Sequence, residues 1–77
     1  MAKEVVVYHQ PDCPPCHAAM QFLTEQGIPF TAKDVTKDAE AVQELIRVGA
    51  TSTPTIRVGE EWMIGFRKEK LLAMLKG

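Results

Sequence analysis

At 77 residues the chain has room for one domain and one modest hydrophobic core; a domain of this size buries only about 60% of the surface its unfolded chain exposes. Its composition is that of an ordinary globule, 45% apolar and 25% charged, and a formal net charge of −1 gives no electrostatic case for nucleic acid or an anionic membrane surface. The longest apolar run, Val5-Val6-Val7-Tyr8, is far short of the ~20 residues that span a bilayer, so the expectation is a single monomeric domain over residues 1–77 with no membrane partner.

Met1-Ala2-Lys3-Glu4 leads straight into a β-branched run without a cleavage site, which points to the cytoplasm. Glu4 to Tyr8 reads as a strand buried on both faces. His9-Gln10-Pro11-Asp12 breaks it as a loop, and a helix is expected from Cys13, with Pro14 at its first position, where a missing N–H costs nothing. Cys16, Met20 and Leu23 recur at helical spacing up to a cap at Gly27. Ile28-Pro29-Phe30 opens a second strand ending near Val35, and its proline suggests an edge. Thr36 or Asp38 can start the next helix, with Glu40 in its first turn. Val42, Leu45, Ile46 and Ala39 are its candidate buried stripe, and Gly49 ends it. After Thr51-Ser52-Thr53-Pro54, the alternation in Thr55-Ile56-Arg57-Val58, the turn Gly59-Glu60 and the run Glu61-Trp62-Met63-Ile64 predict a hairpin. Arg67 to Lys76 closes the chain as a short helix with Leu71, Leu72 and Leu75 turned inward. The order is strand, helix, strand, helix, strand, strand, helix. A right-handed crossover makes the first two strands parallel, and the result is an α/β fold: a four-stranded mixed sheet with three helices.

Two cysteines three positions apart in a reducing compartment read as redox or metal chemistry rather than as a staple. Cys13 falls at a strand-to-helix junction, where unpaired N–H groups and the positive end of the helix dipole favour a thiolate; Asp12 beside it opposes one. Cys16 lies one turn further in. The pair permits a two-step exchange, in which Cys13 forms a mixed disulfide that Cys16 resolves. Other readings stay open on the residues alone. Cys13-x-x-Cys16-His17 formally matches a c-type haem attachment site, and zinc could recruit His9 and His17 beside the cysteines. A purely structural pair is a third, and an iron–sulfur centre shared by the cysteines of two chains is a fourth. The primary expectation is a redox-active disulfide, Cys13-Cys16, with no cofactor and no metal.

Taken together, Val5-Val6-Val7-Tyr8, Cys13-Pro14-Pro15-Cys16-His17, Thr53-Pro54 and Gly65-Phe66-Arg67 resemble the glutaredoxin-like branch of the thioredoxin fold, over essentially the whole chain. The resemblance implies a thiol–disulfide oxidoreductase in which Pro54 is cis and faces the dithiol. It further implies that Pro14, Pro15, Thr53, Pro54, Gly65, Phe66 and Arg67 contact the substrate, with Thr53 holding a partner's backbone beside Cys13. Glutathione-dependent members usually carry a basic residue where this chain has Gln10. They also have a second glycine, followed by acidic or small polar residues, where it has Phe66 and Arg67-Lys68. Trp62 through Arg67 is closer to the NrdH-redoxins, although Trp62 lies one position further from Gly65 than is usual, and Lys68 and Pro14-Pro15 also depart from that pattern. That likeness implies protein disulfides as substrates, thioredoxin reductase as the source of electrons and a ribonucleotide reductase among the recipients, with glutathione as the alternative reductant.

Overall fold

The computed structural model describes residues 4–50 and 52–76; the leader reading of Met1-Ala2-Lys3 and the loop position Thr51 lie outside them. The chain runs β1 (Val5–His9), α1 (Pro14–Glu25), β2 (Thr31–Asp34), α2 (Ala39–Arg47), β3 (Thr55–Val58), β4 (Glu61–Ile64) and α3 (Lys68–Lys76). The strands form one sheet in the order β2-β1-β3-β4. β1 pairs parallel with β2, Val7 opposite Ala32, and antiparallel with β3, Val7 opposite Ile56. β3 and β4 form the antiparallel hairpin, turned at Gly59, whose φ of 62° suits glycine. β2 is at the edge, as Pro29 suggested. β1 is central, and Val5 to Tyr8 are all buried because helices cover both faces.

Alternation along the strands sorts the core into two layers. Val5, Val7, Ile56, Val58 and Met63 meet Ala19 and Leu23 of α1 and Leu71 and Met74 of α3. Val6 and Tyr8 turn the other way, onto Ala41 and Leu45 of α2 and onto Ala50. β3 lies in the middle of the sheet, so its apparent alternation does not mark a solvated face: Thr55 is as deeply buried as Ile56.

Three inward assignments from sequence are corrected here. Ile46 is 70% exposed and Ala39 is exposed, because α2 alone covers its layer and the stripe that meets the sheet is Ala41 and Leu45, four residues apart. Leu72 is 37% exposed, since α3 buries Leu71 and Met74 and leans Leu75 on the core, leaving Leu72 on the outer flank. His9 belongs to the end of β1 rather than to a loop.

Asp38, not Thr36, caps α2: its carboxylate accepts from the N–H groups of Glu40 and Ala41 at 3.1 and 3.2 Å. Replacing it by alanine is expected to lower the stability of the fold by about 1 kcal/mol, read from the denaturant midpoint; an unchanged midpoint would show that the cap contributes nothing net.

Candidate active site

Cys13 is the N-cap residue of α1, in extended backbone (φ −130°, ψ 92°), immediately after the turn that leaves β1. The first helical positions are Pro14 and Pro15, neither of which has an N–H to offer. The first free donor of the helix is therefore Cys16 N–H, and it points at Cys13 Sγ from 3.2 Å. His17 N–H closes the next bond onto Cys13 O at 3.1 Å. Two prolines thus concentrate the helix N-terminus on a single sulfur.

Cys13 and Cys16 are joined as a disulfide, with an S–S distance of 2.10 Å and Cα atoms 5.2 Å apart. Cys13 is 8% exposed and Cys16 is fully buried, so a partner can reach only the first sulfur. Pro14 and Pro15 are exposed beside it. Across from the dithiol, the Thr53-Pro54 peptide is cis. Thr53 Oγ1 lies 3.8 Å from Cys13 Sγ, in donor geometry. The loop is held by Thr55 Oγ1 donating to Ser52 O (2.8 Å) and by Gly65 N–H donating to Pro54 O (2.7 Å). Gly65 has φ 92°, a conformation that side-chain-bearing residues rarely take.

The remaining candidates sit further out. Phe66 packs against Phe22 of α1, centroids 5.8 Å apart, and is half-buried against the core. Arg67 is exposed at the start of α3. His17 is also exposed, and its Nε2–H donates to Pro11 O at 2.9 Å, tying the turn to the first helical turn. Trp62 stacks on Tyr8 in the α2 layer (5.5 Å between centroids), with the Arg57 guanidinium 5.8 Å above its ring. Among the described residues, no three His, Cys, Asp or Glu side chains come together as a metal-binding group, and no helix is long and apolar enough to cross a membrane.

Beside Thr53 opens a groove of about 360 Å³, lined by Gln10 and Thr53 at the dithiol end, by Val42, Leu45 and Ile46 of α2 and by Ala50 just after it. Among the described residues that line it, none carries a charge. Ile46, misread as core, is one wall of it.

A polar network missed by the sequence reading lies beneath α2. Tyr8 OH donates to Glu44 Oε2 and Lys33 Nζ to Glu44 Oε1, both at 2.9 Å. Burial, then the bond to Glu44, pushes the Tyr8 phenol up to about 12. The hydrogen bond from Lys33 holds the Glu44 carboxyl below its usual range. The partners come from β1, β2 and α2, and no local spacing announces them.

Residues 5–63 match the family model described as glutaredoxin. The chain belongs to the glutaredoxin family. Gene 56 protein of Mycobacterium phage D29 is 36% identical over 92% of this chain and 81% of its own length. The glutaredoxin-like protein NrdH of Lactococcus lactis is 28% identical over 87% and 93%. Among solved structures, a thioredoxin-like protein superposes with a TM-score of 0.90 at 39% identity, covering 95% of both chains. The glutaredoxin-like NrdH-redoxin from Escherichia coli, whose activity profile is described as thioredoxin-like, does so with 0.84 at 26% identity, covering 91% and 92%. This glutaredoxin-family chain is thus a thioredoxin-fold thiol–disulfide oxidoreductase close to NrdH.

Proposed function

We propose that this protein is a reductant of protein disulfides that takes its electrons from a thioredoxin reductase rather than from glutathione. Cys13 is the attacking thiolate, favoured by the Cys16 N–H and the α1 N-terminus. It displaces one sulfur of the partner's disulfide, and the partner's other cysteine stays linked to Cys13. Cys16 then attacks Cys13 Sγ, the mixed disulfide breaks, and the partner leaves with both sulfurs reduced. Thr53 and Pro54 hold an extended segment of the partner across the dithiol. In this reading the chain works as one domain in the cytoplasm, carrying its electrons on the Cys13-Cys16 pair without a cofactor; a ribonucleotide reductase is among the candidate recipients.

The observation that carries the choice of reductant is the uncharged groove beside Thr53. Glutathione is a tripeptide with two carboxylates, whereas the described lining of this groove, Gln10 with apolar and hydroxyl side chains, offers it no cation. The similarity to NrdH supports the same choice.

The test is insulin reduction coupled to NADPH consumption, with thioredoxin reductase in one reaction and glutathione plus glutathione reductase in the other. Turnover confined to the first is the expected result. Turnover confined to the second would overturn the assignment and make the protein a glutathione-dependent member of its family.

A further inference from the structure

β1 alternates strictly: Val6 and Tyr8 enter the layer beneath α2, Val5 and Val7 the layer shared with α1. The next position on the α1 side is His9, the last residue of the strand. Only Gln10, Pro11 and Asp12 separate it from Cys13, so α1 runs back along β1. The buried positions of α1 are Leu23, Ala19 and Cys16, one turn apart. Leu23 and Ala19 share the layer of Val5 and Val7; one step nearer the turn, the same alternation carries His9, and the same helical spacing carries Cys16, toward the dithiol end of that layer.

His9 Nδ1 is sealed from solvent and, among the described residues, has no hydrogen-bond partner. A buried polar atom left unpaired is rare and costs stability. Cys16 is fully buried and, in the disulfide, has no proton to share. Reduction gives Cys16 a thiol proton at the same end of the layer as His9.

We infer that His9 Nδ1 is the proton acceptor for Cys16 when the mixed disulfide is resolved. The inference rests on the assignment of Cys13 as the attacked sulfur and Cys16 as the resolving thiol. As the Cys16 proton passes to Nδ1, the Cys16–Cys13 bond forms and the bond from Cys13 to the partner's sulfur breaks. The partner leaves as a thiolate with the electron pair of that bond, the two cysteines are oxidised, and the imidazolium, part-exposed at the end of β1, gives up a proton to solvent from its unsealed side. The neighbours suit this traffic. Asp34, the register partner of His9 on β2, is held below its usual carboxylate range chiefly by hydrogen bonds from Thr36, with the His9 charge a smaller cause. It is placed to balance the charge that the ring acquires. Asp12 is exposed in the turn, and His17 is turned to Pro11 O. The core positions that β3, β4 and α3 contribute to this layer are Ile56, Val58, Met63, Leu71 and Met74, none of them titratable.

The experiment follows the reduced protein with 5,5′-dithiobis(2-nitrobenzoate). Attack by Cys13 releases one thionitrobenzoate and leaves the second on Cys13; resolution by Cys16 releases that one. His9→Leu is expected to leave the first release unchanged and to slow the second roughly tenfold or more near neutral pH. At alkaline pH, where the thiol ionises unaided, the gap closes. His9→Gln, which accepts a hydrogen bond but takes no proton, should behave as His9→Leu does, and it carries the test if the leucine variant fails to fold. A second release as fast as in the parent protein, one slowed equally at every pH, or one restored by glutamine overturns the inference. Failure of the underlying assignment looks different: in Cys16→Ser, mass spectrometry would find no thionitrobenzoate adduct on Cys13.

Discussion

In the Cys16→Ser variant, a disulfide-bearing partner is expected to stop on Cys13 as a stable mixed disulfide, visible on a non-reducing gel and by mass spectrometry. The substitution removes one function only. The N–H of residue 16 remains, so the donor aimed at Cys13 Sγ from 3.2 Å survives and the first attack proceeds. A serine hydroxyl does not displace a thiolate from a disulfide at neutral pH, so the second step stops. Cys13→Ser has the opposite outcome: no adduct forms and turnover falls to the uncatalysed rate, because Cys16 is fully buried and no partner reaches it. The asymmetry between the two variants is the test. Adducts on Cys16, or equal adduct formation by both variants, would reverse or remove the assigned roles.

The parts of this site that could be read from the sequence are those encoded within a few residues. A β-branched run followed by two prolines between cysteines fixes a strand, a turn and a helix start, and places Cys13 at the cap. Gly59 similarly announces its turn through a positive φ. Other features depend on contacts between distant segments. Thr53 meets Cys13 across 40 residues and Tyr8 meets Glu44 across 36; nothing in the spacing of either pair reveals it. The exposed Ile46 and Leu72 show a different limit. Each is flanked on its helix by enough apolar neighbours to read as core, but α2 turns only Ala41 and Leu45 fully onto the sheet, and α3, which shares its face with α1, turns in Leu71 and Met74. Ile46 falls beside the stripe, where it forms a groove wall instead. His9 differs for a related reason: a polar residue before a turn looks like loop, and only the sheet, through its pairing with Asp34, shows that it ends β1.

The Tyr8 network gives the stability of the oxidised protein an alkaline limb. The phenol of the folded chain is pushed up to about 12 by burial and by the Glu44 carboxylate, while in the unfolded chain it ionises near its ordinary value of ~10. Below that value both states keep the proton and this group adds no pH dependence. Between about 10 and about 12 the unfolded chain gives up the proton and the folded chain does not, so stability falls as pH rises through this window. At ~1.4 kcal/mol per pH unit the loss approaches about 3 kcal/mol, a large share of the roughly 5–15 kcal/mol that holds a domain together. Using the disulfide form matters, because it has no thiol to titrate. Tyr8→Phe keeps the ring on Trp62, gives up the bond to Glu44 at a cost of about 1 kcal/mol near neutral pH, and should flatten the alkaline limb. Denaturant melts of both proteins across that window decide the matter. Parallel curves would mean that Tyr8 ionises as readily in the folded chain as in the unfolded one, and that the latch between β1 and α2 contributes no proton linkage.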